Sequence, residues 1–476
     1  MITINKEIQN EIMMFTMEDL VPEDSLLRKI DKYIDFTFIN EEVRDLYCSN
    51  NGRPSIEPAI LFKIVFIQYL YGIKSMRETC KRINTDAEYR WFLNIPFGQK
   101  TPHFSTFSKN YERRFKDDDI FEKIFVKIVK QAIDYMLVDG SSLFTDSTHK
   151  KANANKRNYD EYLEEVAVKR RKWLEDEINE ERRIQNKKEF IYKDKTETKT
   201  VKINRTDKES GYYHRSNKEN GFVYLDHRTV DGKNNIIVDC HITKGNVHDS
   251  TVYIQRMKYI KNTFNFNIQK AALDSGYESL DIKHWLNKQN IFAVIGYRRH
   301  GTKESREKRK KFYYEAELDI YVHKETGEVL EYHGNIDRLG YKKYVNIDKS
   351  LEITRHLKED LNEMFTENRI SEEGKELYQE RKITVERSFA DSKCNHGFRF
   401  AMYKGVDKNQ DYTWLSCAAQ NMKNIALKVD RLEKKYQDTP VLTDIFKYFG
   451  KFTEFIKILI LIKPLAFKTR GLSTLC

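Results

Sequence analysis

The chain has 476 residues, with 84 Lys and Arg against 73 Asp and Glu for a net charge of +11; 39% of residues are hydrophobic and 33% charged. That length exceeds one compact core and that apolar share excludes a disordered chain, so two or three domains under a heavily charged surface are expected. The positive balance favours a polyanionic partner, nucleic acid above all, although a lysine-rich composition by itself gives the same sign.

The start, MITINKEIQNEIMMF, lacks the basic-then-apolar order of a signal peptide. Residues 1–135 read as a helical domain. In SIEPAILFKIVFIQYLYGI (55–73), Ser55 is expected as N-cap and Pro58 in the first turn of a helix apolar on most sides, hence buried. Gly72 breaks it, and SMRETCKRI opens with Ser75 and Glu78 at capping-box spacing. FSTFSKNYERRF (104–115) follows as a short basic helix. This order suits a DNA-reading bundle, and equally an ordinary helical domain whose basic face is solvated.

From residue 136 the periodicity changes. SSLFTDST (141–148), GFVYLDHRTVD (221–231) and NNIIVDCHIT (234–243) read as strands, the last two joined by a Gly232-Lys233 hairpin. Then come a helix over 247–264, a buried strand QKAALDSGY (269–277), a helix SLDIKHWLNKQN and a strand IFAVIGY (291–297). The order predicts a mixed α/β sheet. Two insertions interrupt it. The first, about 157–220, contains DEYLEEVAVKRRKWLEDEINEERRIQ, read as one long amphipathic helix whose thin apolar stripe offers a pairing surface. The second, about 298–375, opens with a run in which eight of the fourteen residues from Arg298 to Lys311 are Lys or Arg. Such a run is a solvated loop or, with Phe312 to Tyr314 following, a nucleic-acid surface.

Asp146 and Asp274 each close a strand, where α/β sheets open their ligand crevice; each alone also suits a turn or helix cap. Glu386 stands on a helix after the second insertion. At about 100° per residue, Lys382 and Lys393 fall about 40° and 20° from Glu386, whereas Arg381 falls about 140° away. Arg381 is therefore expected off that face, in an ion pair or phosphate contact on the helix side. A Lys382–Glu386 surface pair would contribute only a few tenths of a kcal/mol, roughly. Three converging carboxylates need cations, and hard oxygen donors select Mg²⁺ or Mn²⁺. Two such ions about 4 Å apart clamp the oxygens of a phosphoryl transfer.

Together TDSTHKKANANK, FVYLDHRTVDGKNNIIVDCHITKGNVHDS, ALDSGY and the Tyr378, Arg381, Glu386, Lys393 series resemble the DDE-type transposases of bacterial insertion sequences, specifically members with a Tyr-Arg-Glu-Lys signature. The likeness runs over nearly the whole chain, from GRPSIEPAILFKIVFIQYLYGIKSMRE to the closing GLSTLC. It implies an RNase H-like five-stranded mixed sheet over 136–430, after the helical DNA-binding domain and before a helical tail over 431–476. It implies Asp146, Asp274 and Glu386 as catalytic metal ligands for two Mg²⁺ or Mn²⁺ ions. Tyr378, Arg381 and Lys393 would help place the DNA end, with His149, Lys150, Lys151, Asn153 and Asn155 as DNA contacts beside the site; a polar turn is the alternative for those five. The implied activity is metal-dependent cleavage at terminal inverted repeats and strand transfer into target DNA, by a homodimer assembled on double-stranded DNA. A DNA-binding relic, or an RNase H-like nuclease without end specificity, is the alternative.

Many relatives carry zinc-spaced cysteines near DIYVHKETGEVLEYHGN, but no cysteine lies between Cys240 and Cys394. The six cysteines are scattered without CxxC spacing, as expected of reduced thiols in a cytoplasmic protein, nucleoid-associated when on DNA. FIKILILIKPLAF (455–467) is short and carries two lysines, so it is read as a core helix, not a membrane span.

Overall fold

A computed structural model describes residues 14–48, 55–184, 186–214, 220–298, 303–335 and 340–437; the 455–467 segment and the closing GLSTLC lie outside them. Among the described residues no helix is long and apolar enough to cross a membrane.

The amino-terminal third is helical. Helix Pro58–Leu70 has proline in its first turn and is buried on nearly every side, from Ala59 to Leu70. Its N-cap is Glu57 without a side-chain bond, not Ser55. Ser75 caps the next helix, accepting from the Glu78 amide at 3.2 Å. The basic stretch becomes helix Ser105–Asn110 and a π-helical turn, Tyr111–Phe115. Helix Ile120–Asp134 completes this part.

The strands, in chain order, are β1 Ser142–Lys151, β2 Tyr159–Ala167, β3 Thr196–Asn204, β4 Gly211–Tyr213, β5 Gly221–Asp231, β6 Ile237–Lys244, β7 Lys270–Leu273 and β8 Phe292–Ile295, followed by β9 Phe312–Glu315, β10 Ile320–His323, β11 Val329–Asn335, β12 Tyr341–Val345 and β13 Glu352–His356. The fold is mixed α/β. Its main sheet runs β6-β5-β1-β7-β8, antiparallel from β6 to β1 and parallel from β1 to β8. It has six strands, not five. β6 covers β5 only from Tyr224 to Val230, and β4 pairs with the remaining Gly221 to Val223 along the same edge. Backbone groups left open on a long strand need such a partner.

The first insertion differs from the expected single helix. Tyr159–Ala167 is strand β2, hairpinned with β3, and only Lys172–Ile184 is helical. Register places Glu161 opposite Lys202 and Glu164 opposite Lys199, so cross-strand charge pairing favours the ribbon over the helical pattern in that half. The second insertion folds β9 to β13 into an antiparallel sheet with its own apolar cluster of Phe312, Tyr321, Leu330, Tyr344 and Ile353. Aromatic packing fills the region where cysteines were absent from the sequence.

Helix Val406–Gln437 lies against β6 and against helices Leu26–Tyr33, Pro58–Leu70 and Ile120–Asp134. One continuous apolar cluster, from Leu27 to Val429, therefore joins the amino-terminal helices to the sheet.

Candidate active site

β1 and β7 pair in parallel, with Thr145 opposite Leu273. Asp274 comes just past the end of β7, whereas Asp146, expected to close its strand, lies in the middle of β1, which stays paired with β5 as far as Lys151. The parallel register still brings the two acids next to each other, neighbouring strands being about 5 Å apart. Asp274 opens a 3₁₀ turn, Ser275–Tyr277, without a side-chain bond to it. Its carboxylate is thus not consumed in capping.

In antiparallel register Asp146 faces Arg228 on β5. Arg228 is fully buried beside Asp226, at 2.7 Å. Its guanidinium donates to Ser392 Oγ at 2.8 Å and Ser388 Oγ at 3.1 Å. Those serines are one turn apart on helix Arg387–Asn395, which is thereby fixed over the face of the sheet that carries Asp146.

The segment just before that helix, Lys382–Glu386, is a π turn. In such a turn hydrogen bonds run from i to i+5, so residues five apart come into line. Arg381 consequently shares the Glu386 face, against the regular-helix expectation of about 140° separation. Its Nη1 donates to Glu386 Oε1 and its Nη2 to Asp146 Oδ2, each at 2.8 Å. One guanidinium bridges two of the three acids. Lys382, expected on that face, is exposed.

Burial pushes the Asp146 carboxyl up to about 6; Arg381 works against the rise, while Asp274 and Asp249 add to it by repulsion. Tyr378 is half-buried and raised by burial, with the Arg381 guanidinium 5.6 Å from its ring centre. A Cβ on Gly296 would stand 2.8 Å from the Tyr378 hydroxyl, so only glycine lets that hydroxyl lie against the Asp274 loop. Lys393 donates to Thr148 Oγ1, two residues beyond Asp146 on β1, and burial draws its ammonium down.

The residues after Asp146 divide by strand alternation. His149 and Lys151 line a surface groove with Lys393. Lys150 points the other way and is fully buried, its ammonium 4.0 Å from the Phe398 ring centre and 3.8 Å from that of Tyr412. Its place as a DNA contact is therefore corrected to a core position. Asn153 and Asn155 are exposed in the turn after β1, where Asn155 Oδ1 accepts from the Arg157 amide at 3.0 Å.

Asp249 was not singled out from GNVHDS. Its carboxylate accepts from Ser147, and burial raises it, with Asp274 adding repulsion. His227 Nδ1 lies 3.5 Å from Asp249 Oδ1, but burial drives His227 down to about 3, so the imidazole is neutral. Nothing in the spacing of that motif marks the acid; only the fold brings it here.

As donors, Asp146, Asp274 and Glu386 are hard carboxylate oxygens suited to Mg²⁺ or Mn²⁺. Among the described residues, though, no three or more His, Cys, Asp or Glu side chains group closely enough to hold a metal ion. Arg381 stands between Asp146 and Glu386 instead.

Residues 15–113 match a family model described as "Transposase domain (DUF772)", and residues 342–426 one described as "Transposase DDE domain". Both descriptions are of transposases. The second match includes Tyr378, Arg381, Glu386 and Lys393, and the two together support a transposase of the DDE type. No curated protein matches the chain. Among solved structures, the cryo-EM structure of the piggyBac transposase synaptic complex with hairpin DNA aligns at 10% identity over 95% of this chain and 80% of that one, with a TM-score of 0.31. A score of that size is too low to carry a shared fold.

Proposed function

We propose that the protein is the transposase of a bacterial insertion sequence. In this reading residues 1–135 bind DNA, 136–430 form an RNase H-like catalytic domain with two insertions, and 431–476 form a helical tail. The enzyme binds the element's terminal inverted repeats and hydrolyses a phosphodiester: water oxygen forms the new P–O bond and the 3′ oxygen leaves as a hydroxyl. That hydroxyl then attacks a phosphodiester of target DNA: its oxygen forms the new P–O bond and the target's own 3′ oxygen leaves as a hydroxyl. A homodimer assembled on the paired ends supplies two such sites, in the cytoplasm and at the nucleoid.

The observation that carries the reading is the placement of Asp146 and Asp274 beside each other where the parallel pairing of β1 and β7 ends, with Glu386 joined to Asp146 through Arg381. The strand order β6-β5-β1-β7-β8, antiparallel then parallel, is what an RNase H-like sheet requires and supports the same reading. Asp146, Asp274 and Glu386 are the residues to hold two divalent ions, Mg²⁺ or Mn²⁺, which when bound supply Lewis-acid polarisation of the phosphate. Arg381 offsets repulsion among the acids, and Tyr378 and Lys393 flank them to orient the DNA end.

Asp146→Asn, Asp274→Asn and Glu386→Gln are each expected to abolish Mg²⁺-dependent nicking of donor DNA while keeping end binding. Normal cutting by any one of the three removes the reading. The guanidinium seated between Asp146 and Glu386 favours a second reading, a relic that holds DNA ends without cutting them. Such a relic binds DNA with steep salt dependence and shows no nicking at any Mg²⁺ concentration.

A further inference from the structure

A groove with Lys393 in its wall lies at the end of β1. It comprises a cavity of about 570 Å³ and a second of about 460 Å³ that share Lys156 and Asn220 in their walls. Five cations line it: Lys151, Lys156, Arg157, Lys393 and Arg399. Among the described residues no Asp or Glu does. A concave surface of one sign gathers a polyanion.

Aromatic rings alternate with those cations. Tyr159 and Tyr212 line the second cavity with ring centres 6.0 Å apart. In the first, Tyr213 packs on His149 at 3.9 Å, and Phe400 is 59% exposed. Phe400 does not sit on a loose loop. The Lys151 amide donates to Arg399 O at 3.2 Å and the Ala401 amide to Lys151 O at 2.8 Å, so the 399–401 backbone is stitched onto the end of β1. A large apolar ring is thus presented to solvent from rigid backbone, among cations.

Rings in a groove stack only on bases whose faces are open, which a duplex does not offer. The cavities, about 570 and 460 Å³, have the size of small-molecule sites. Lys393 in the groove wall also donates to Thr148, two residues beyond Asp146 on β1. We infer that this groove holds an unpaired single strand of DNA leading from the acidic cluster, its phosphates on the lysines and arginines and its bases on the rings. The inference rests on the transposase reading for its substrate, but binding can be measured without catalysis.

The test uses the full chain, short fluorescent oligo(dT), and a blunt duplex as comparison, read by anisotropy at fixed salt. Phe400→Ala combined with Tyr213→Ala is expected to weaken oligo(dT) binding about tenfold or more, leaving duplex binding within about twofold. Phe400→Trp is expected to keep oligo(dT) binding, which separates lost stacking from lost folding. Equal losses for both probes, or no loss for oligo(dT), overturns the inference. Tighter binding of oligo(U) than of oligo(dT) also overturns it, in favour of RNA. Wild-type nicking without oligo(dT) binding removes the groove alone; oligo(dT) binding without any nicking removes the transposase reading and leaves the groove.

Discussion

Two arginines act above the same face of one sheet, and they do different jobs. Arg228 is sealed: its partner Asp226 is two residues away on the same strand, both side chains are inaccessible, and helix serines accept from its Nη1 while its buried Nε has no partner. Arg381 joins acids from two separate elements, and one of them, Glu386, keeps 46% of its side chain exposed. Ion pairing alone therefore does not distinguish scaffold from site. What separates them is whether the partners can be exchanged for something arriving from solvent.

The sharpest way to break that contrast is Arg228→Met. It leaves Asp226 charged and buried without a partner, which costs about 3–5 kcal/mol. Urea unfolding should show that loss, and Asp226→Leu added to it should restore most of the stability. A loss below about 1 kcal/mol would mean that Arg228 is not the clamp.

The pH dependence of Asp146 comes next. Burial holds its carboxyl at about 6, against roughly 3.9 in an unfolded chain. Between those values the folded protein keeps a proton that the unfolded chain releases, so this residue's contribution to stability falls as pH rises from about 4 to about 6. Asp146→Asn should flatten the decline of the urea midpoint across that window, by of order 1–3 kcal/mol. Asp231 and Asp411, also pushed up to about 6 by burial, retain the rest of the slope.

Arg381→Ala should be milder than Arg228→Met, on the order of 1–2 kcal/mol, because Glu386 can turn to water. It should also raise the Asp146 carboxyl further, visible by carbon-13 titration of the side chain. An unchanged titration would show that the bridge does not form. Smallest of all, Lys150→Met should leave DNA binding unchanged, since that ammonium lies under Phe398 and Tyr412, whereas Lys151→Ala should weaken it. Filter binding at two salt concentrations distinguishes the pair.

Much of this was legible in the residues. Alternating and continuous apolar runs located five strands of the main sheet but not the short β4, and the strand-end argument fits Asp274, whereas Asp146 lies within β1. The π turn was not legible, because a helical wheel assumes a constant angle per residue and one widened turn moves Arg381 to the other side. Lys150 follows strand alternation, which its basic neighbours His149 and Lys151 obscured. Strand β2 looked helical since its partners lie far along the chain in β3, from Ala167 opposite Thr196 to Tyr159 opposite Asn204. Asp249 became visible only when the start of a helix, Ser147 and the Asp274 turn were brought together in space.

Helix Val406–Gln437 has a consequence for how the chain is made. Near its end, Glu433 accepts from Lys32 at 2.7 Å, closing a sequence separation of 401 residues, and Lys29 reaches Asp430 at 3.2 Å. Helix Leu26–Tyr33 must wait for helix Val406–Gln437 before their shared core can close. Contacts of such range make for slow folding with apolar surface open in the interval. A nascent chain stalled before Val406 would hold the amino-terminal helices without the partner that closes their core, and so should be cleared by proteases.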